Sequence, residues 1–183
     1  MTQPEIEDLA LIGDCRTAAI ISRNGGVEWL CWPRFDSSAC FAALLGDAGN
    51  GTWSLAPAKR VFHGCWHYRG DTMVLETVFD TDDGSFAVID FMAINQTNSS
   101  LVRIVEGRHG AVPVRMNLIL RFDYGSQVPW VTRLADKSGI VAIAGPHLVV
   151  LRTPVELRGE DLSTGGWAGF SLAAFKANRE EPR

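Results

Sequence analysis

The chain has 183 residues, of which 46% are hydrophobic and 21% are charged, close to the averages for globular proteins. This length predicts one domain, or one domain with appendages. The formal net charge of -4, with basic residues spread along the chain, gives no support for nucleic-acid binding, which requires a surface rich in Lys and Arg. No stretch approaches the ~18 continuous apolar residues of a membrane span, so no membrane partner is expected.

The N-terminal sequence MTQPEIED (1–8) is acidic and lacks the apolar segment of a signal peptide. We therefore expect the four cysteines, Cys15, Cys31, Cys40 and Cys65, to be free thiols in a reducing compartment. Together these observations predict a cytoplasmic protein.

In chain order, the first predicted element is a hairpin, in which the apolar segments 17–22 and 27–32 flank the Asn-Gly-Gly turn at 24–26. A short helix is predicted from about Ala39 to Leu45, ending at Gly46. A second hairpin is predicted from segments 72–79 and 85–91, joined by an Asp- and Gly-rich turn.

The segment 114–122 alternates apolar and polar residues, as expected of a half-buried strand. A turn is predicted at 107–110. Further strands are predicted at 60–68, 100–108, 140–144, 147–152 and 167–174. The residues predicted to be buried between sheets are Leu75, Val88, Ile104, Met116, Leu118 and Leu120. Many short strands separated by frequent turns indicate an all-β antiparallel sandwich or barrel.

Two groups of residues could carry metal or acid–base chemistry. His63, Cys65 and His67 would lie in a row on one face of a strand, but no further ligand pair completes a tetrahedral zinc site. The aspartates at 80–83 sit beside Gly84, where Asp is favoured for local backbone hydrogen bonding in turns. We therefore expect no metal and no cofactor, and spacing alone predicts no catalytic set.

The segment PRFDSS (33–38) follows the second strand of the first hairpin and fits neither strand nor helix. The sequence LIGDCRTAAIISRNGGVEWLCWPRFDSSACFAALLGDAGNGTWSLAP (11–57) that contains it resembles the N-terminus of bacterial enzymes of glycoside hydrolase family 15, the glucoamylase-like and trehalase-like proteins. The resemblance continues through 68–92, 101–125 and 143–157, in the expected order.

The resemblance implies a non-catalytic antiparallel β-sandwich of the super-sandwich type, placed before an (α/α)6 barrel. That barrel carries the two carboxyl groups of inverting α-glucoside hydrolysis. We expect residues 1–175 to form the sandwich domain and 176–183 a polar C-terminal tail, with the catalytic barrel absent from this chain and the chain inactive alone.

The resemblance also suggests a role for four residues of the loop, Trp32, Arg34, Phe35 and Asp36. They would face the barrel and help to form the rim of its active site, or the interface between the domains. Arg34 and Asp36 can hydrogen-bond sugar hydroxyls, and Trp32 and Phe35 offer flat apolar faces to a sugar ring or a partner. The alternative is that the loop folds back over the edge of the sandwich.

Three interpretations of function remain open at this point. The chain is the scaffold and rim domain of an α-glucoside hydrolase whose barrel acts in cis or in trans, with an α-glucoside at the rim. Alternatively, it is a stand-alone carbohydrate-binding module with a platform of exposed tryptophans. The third interpretation is a structural domain that self-associates, most simply as a homodimer.

Overall fold

The computed structural model describes residues 4–58, 63–94, 98–155 and 157, and the backbone alone at His63 and over 168–172. Regular structure in these parts consists of β-strands and single-turn 3₁₀ helices. The strands are β1 (Leu9–Gly13), β2 (Ala18–Ser22), β3 (Gly26–Cys31), β4 (Ala39–Phe41), β5 (Thr52–Pro57), β6 (His63–Tyr68), β7 (Leu75–Thr81), β8 (Gly84–Met92), β9 (Leu101–Gly110), β10 (Val114–Ile119), β11 (Trp130–Arg133), β12 (Gly139–Ala144), β13 (His147–Arg152) and β14 (Ala168–Leu172). The 3₁₀ turns are Ile6–Asp8, Ala43–Leu45, Ala48–Asn50 and Asp123–Gly125. The predicted all-β class is confirmed.

The described strands form three antiparallel sheets. A seven-stranded sheet has the order β1-β2-β3-β5-β10-β14, with β4 added to β3. A four-stranded meander joins β6, β7, β8 and β9, and a three-stranded meander joins β11, β12 and β13. The predicted Asn-Gly hairpin is the β2–β3 connection, where Gly25 adopts a φ of 81° that suits glycine.

One hydrophobic core joins the three sheets. It contains Ile21 and Met116 from the large sheet, Leu75 and Val88 from the four-stranded sheet, and Leu151 from the three-stranded sheet. The sheets therefore pack face to face around a shared interior, as in a sandwich. Five of the six residues predicted to be buried are buried: Leu75, Val88, Met116, Leu118 and Leu120.

The prediction for Ile104 is wrong, because this side chain is 46% exposed. Successive side chains of a strand alternate between its faces. In β9 the inner face is taken by Leu101, Arg103 and Val105, which leaves Ile104 on the outer face. The cause is Asp90, whose buried carboxylate pairs with Arg103 on the inner face.

Two local predictions are also corrected. The helix predicted from Ala39 to Leu45 is strand β4 followed by the 3₁₀ turn Ala43–Leu45, because Ala39 and Phe41 pair with β3. The turn predicted at 107–110 belongs instead to strand β9, where Gly107 pairs with Phe86 and Gly110 with Gly84, and the β-bulge between these pairs leaves Arg108 as the extra residue.

Within the described ranges, no helix has the length and apolar character needed to cross a bilayer. The tail predicted at 176–183 lies outside the described residues.

Candidate functional site

The loop from Trp32 to Ser38 leaves the end of β3 and returns to the start of β4. Its ends are joined by the hydrogen bond that the backbone N–H of Trp32 donates to the carbonyl of Ser38, at 3.3 Å. Inside the loop, the N–H of Ser37 donates to the carbonyl of Arg34 at 3.1 Å, and the N–H of Arg34 donates to Oγ of Ser37 at 3.2 Å. These bonds give an irregular segment a defined shape.

Two other segments of the chain hold the loop in place through hydrogen bonds. The N–H of Phe35 donates to the carbonyl of Arg16 at 3.0 Å, which ties the loop to the β1–β2 turn. Oγ of Ser99 donates to the carbonyl of Pro33 at 3.3 Å, which ties it to the segment before β9. Three parts of the chain that are distant in sequence therefore meet at this end of the sandwich.

Asp14 organises the β1–β2 turn on which the loop rests. One oxygen of its buried carboxylate accepts hydrogen bonds from the N–H groups of Arg16 and Thr17, both at 2.9 Å. Burial opposes ionisation of this carboxyl group, but these bonds, together with the nearby Ser99 hydroxyl, outweigh it and lower the pKa of Asp14. The loop is thus supported by an ionised, hydrogen-bonded carboxylate.

The four residues predicted for the site divide into two groups. The Trp32 ring is half-buried and packs against the hydrophobic core, so this residue anchors the loop. Arg34, Phe35 and Asp36 are exposed, with Phe35 63% accessible to solvent. Trp32 therefore folds back onto the sandwich, as the alternative interpretation predicts for the whole loop. The other three side chains are exposed to solvent.

Arg34 and Asp36 form an exposed ion pair, with 3.0 Å between Nε and Oδ1. The hydrogen bond from Arg34 is the main cause of the lowered pKa of Asp36. This pair holds a planar guanidinium and a carboxylate side by side, and the residue between them in the sequence, Phe35, is also exposed. The guanidinium can donate hydrogen bonds to the hydroxyl groups of a ligand and the carboxylate can accept them, while the Phe35 ring offers an apolar surface.

The other candidate residues do not form a site in the described part of the chain. No group of three or more His, Cys, Asp or Glu side chains there is arranged to hold a metal ion. Cys65 and His67 lie on the exposed side of β6, and the side chain of His63 lies outside the described residues. The four cysteines are free thiols, two of them buried (Cys31 and Cys40) and two exposed (Cys15 and Cys65).

Sequence reasoning missed the residues that support the loop, Asp14 and Ser99, because their partners are set by tertiary contacts. It also missed Trp130, whose side chain is 75% exposed on strand β11. A tryptophan with so much solvent exposure is unusual. The sequence could have predicted this exposure only if it showed which face of β11 carries Trp130.

Fold and site together define an all-β sandwich domain that presents a braced loop with three exposed side chains at one end. The family model described as "Trehalase-like, N-terminal" matches residues 1–158 of the chain. This chain belongs to that family, and the resemblance inferred from the sequence is confirmed.

Similar proteins include "Trehalase 1" of Sulfolobus acidocaldarius, 31% identical over 131 residues that make up 72% of this chain and 22% of the relative. "Trehalase" of Mycolicibacterium smegmatis is 37% identical over 91 residues, 50% of this chain and 14% of the relative. "Trehalase" of Thermoplasma volcanium is 25% identical over 162 residues, 85% of this chain and 26% of the relative. The chain thus spans only a small part of these curated relatives. No solved structure matches it significantly.

Proposed function

We propose that this chain is the non-catalytic N-terminal domain of a trehalase-like α-glucoside hydrolase. In this proposal it serves as a scaffold for the catalytic part, and the exposed residues of the 32–38 loop contribute to the rim of the active site. The carrying observation is that the family match includes a loop whose backbone is fixed while Arg34, Phe35 and Asp36 remain exposed.

The loop has the physical properties that a rim requires. Side chains that orient a substrate must be held by a rigid framework, because a loosely held group pays conformational entropy on binding. Here the hydrogen bonds to Arg16 and Ser99 fix the backbone, and Trp32 anchors it to the core. The backbone that carries Arg34 and Asp36 therefore has little freedom left to lose on binding.

The stand-alone carbohydrate-binding alternative has less support. It requires several exposed tryptophans on one surface. Of the five tryptophans in the part of the chain that the structure describes, only Trp130 is exposed, and the other four are half-buried. The described residues therefore offer no platform of several tryptophans.

The decisive experiment is a chimera in which this chain replaces the aligned region of the Sulfolobus acidocaldarius trehalase 1. Glucose release from trehalose, maltose and isomaltose is measured for the chain alone, for the chimera, and for chimeras carrying Arg34→Ala or Phe35→Ser. We expect no hydrolysis by the chain alone and hydrolysis by the chimera. The loop variants should lower kcat/KM about 10-fold or more while the protein stays folded.

Two results would contradict the proposal. One is glucose release by the chain alone that exceeds a heat-killed blank and survives repurification. The other is a folded chimera whose kinetics are the same with and without the loop substitutions. The matched control is Ile104→Ser, an exposed apolar residue on another sheet, which should leave kcat/KM unchanged.

A further inference from the structure

Much of the outer face of the three-stranded sheet is apolar and exposed, and its charged residue, Arg152, lies at one end of the sheet, opposite Gly139. Strand registry places Trp130 opposite Ile143, and Ile143 opposite Leu148, in one row across the sheet. Val150 lies on the same face, two residues along β13 from Leu148. Trp130 is 75% exposed and Leu148 57%. We call these four residues the Trp130 face.

The sequence of strands β12 and β13 is typical of strands that are buried on both faces. The runs GIVAIA (139–144) and LVVL (148–151) are continuously apolar rather than alternating, a pattern typical of strands buried on both sides. The inner side, with Ala142, Val149 and Leu151, packs on the core. The outer side has no described cover.

The outer face of the four-stranded sheet, by contrast, carries ion pairs. There Glu76 pairs with Arg69 and Arg108, both at 2.6 Å, and Glu106 also contacts Arg108, at 3.1 Å. The outward rows of β11, β12 and β13 that pass through Trp130 and Val150 contain no charged residue. Charge depletion around an aromatic residue is typical of the centre of a protein interface.

The Trp130 face is connected to the 32–38 loop by one stretch of chain. The 3₁₀ turn Asp123–Gly125 contacts β4, which directly follows the loop, and the chain then runs into β11. Along this stretch Tyr124 and Val128 are also exposed. Two exposed apolar side chains therefore lie on the stretch of chain between the 3₁₀ turn beside β4 and the Trp130 face.

We infer that the Trp130 face is the surface on which the remainder of the trehalase polypeptide docks. This inference rests on the proposed function. The length of a relative indicates what would cover this face. The 131 residues aligned with the Sulfolobus trehalase 1 are 22% of that protein, so its whole chain has roughly 600 residues. In that relative, several hundred residues outside the aligned region are thus available to cover the corresponding face.

The test uses the intact 183-residue chain and, as a separate chain, the part of the Sulfolobus trehalase 1 outside the aligned region. Binding is measured by calorimetry for the wild-type chain, for the double variant Trp130→Ser with Leu148→Ser, and for Ile104→Ser. Ile104 is the matched control, since it is an exposed apolar residue on the charged outer face of the four-stranded sheet. Urea midpoints show that each variant is folded.

We expect the double variant to raise Kd at least 10-fold and Ile104→Ser to leave it unchanged. Absence of binding by the wild-type chain would overturn the proposed function together with this inference. Binding by the wild-type chain that the double variant leaves intact would overturn this inference alone. A wild-type homodimer that the double variant converts to monomer, with binding of the second chain unaffected, would assign the face to another copy and also overturn it.

Discussion

The carboxylate of Asp90 and the guanidinium of Arg103 form a fully buried, two-point ion pair across strands β8 and β9. Nε lies 2.8 Å from Oδ1 and Nη2 lies 3.0 Å from Oδ2. The same guanidinium donates to the carbonyl oxygens of Gly25, at 2.9 Å, and of Trp53, both in the seven-stranded sheet region. This one side chain therefore links two sheets of the sandwich while its charge is neutralised by Asp90.

The first prediction concerns this pair. Asp90→Ala or Arg103→Met should each lower the free energy of unfolding by about 3–5 kcal/mol, because each leaves an uncompensated charge or several unpaired polar groups in the interior. Replacing both residues together, as Asp90→Ala with Arg103→Met, should cost less than the sum of the two single variants. Urea unfolding followed by circular dichroism measures the three values.

The exposed pair of Arg34 and Asp36 is the control for this prediction. Arg34→Ala should change the free energy of unfolding by no more than ~1 kcal/mol, as expected of a solvated ion pair. If the Arg103 variants are as mild as Arg34→Ala, the buried pair does not hold the sheets together.

The Asp90–Arg103 pair also explains where sequence reasoning succeeds and where it fails. Alternation in 114–122 predicts the buried face of β10 correctly, because its inward residues are apolar. In β9 the inward face contains Arg103, and an isolated sequence offers no reason to bury an arginine. The partner of Arg103 is Asp90, which lies 13 residues from it in the chain and is brought opposite it only by the registry of β8 and β9. This pairing places Arg103 inside and Ile104 on the outer face.

The second prediction compares two aliphatic residues that sequence reasoning treated alike. Leu118→Ala should destabilise the protein by ~2–5 kcal/mol, since Leu118 is buried in the core. Ile104→Ala should cost much less, within roughly 1 kcal/mol, because nearly half of its side chain is in solvent. Chemical denaturation of both variants measures the difference, and equal losses would mean that the register of β9 is wrong.

The third prediction concerns acid stability. Hydrogen bonds and ion pairs to Arg69 and Arg108 outweigh burial and lower the pKa of Glu76, and the pKa of Asp14 is lowered by its backbone bonds. A carboxyl group with a lower pKa in the folded state stabilises the protein above its unfolded pKa, ~4 for both residues, and this contribution is lost as the pH falls through the folded value. The wild-type chain should therefore lose stability progressively below about pH 5.

Glu76→Gln and Asp14→Asn test this pH dependence. Each should be less stable than the wild type at pH 7, and each should lose less stability between pH 6 and pH 3, since one titrating group has been removed. Urea midpoints measured across this range give the slopes. Slopes that match the wild-type slope would show that neither carboxyl group contributes to acid unfolding.

The fourth prediction concerns thiol reactivity. Burial raises the pKa of Cys40 to about 12 and also raises the pKa of Cys31, so neither forms the reactive thiolate readily. Cys15 and Cys65 are exposed. A maleimide should modify two cysteines of the native chain rapidly and the other two only on unfolding, as followed by mass spectrometry. Because all four are free, a reducing agent should leave Tm unchanged, and a native mass two units below the reduced mass would contradict this.

The candidate site could be predicted in part from residue types. Pro33 and the polar residues that follow exclude regular structure, so an irregular loop at 33–38 is visible in the sequence. The different positions of Trp32 and Phe35 are not visible in the sequence, because both are large aromatic residues. Tertiary packing decides that Trp32 contacts the core and Phe35 does not. The supports from Asp14 and Ser99 likewise depend on contacts between distant parts of the chain.

The last prediction separates these two aromatic residues. From the sequence alone, replacing both by Ser is expected to leave the fold and its stability nearly intact and to favour the monomer. The half-buried position of Trp32 changes that expectation, since Trp32→Ser removes contacts with the core and should cost about 2 kcal/mol or more. Phe35→Ser alone should leave the urea midpoint within ~0.5 kcal/mol of the wild type.

Phe35→Ser is therefore the variant that reports on function without disturbing the fold. If the loop is a docking or substrate surface, this variant should weaken self-association of the isolated chain, measured by analytical ultracentrifugation, or lower kcat/KM of the chimera. Phe35→Tyr, which keeps the ring, should restore most of either property. A Phe35→Ser chain that unfolds would place Phe35 in the domain's own core and remove the basis for assigning Arg34, Phe35 and Asp36 to a rim.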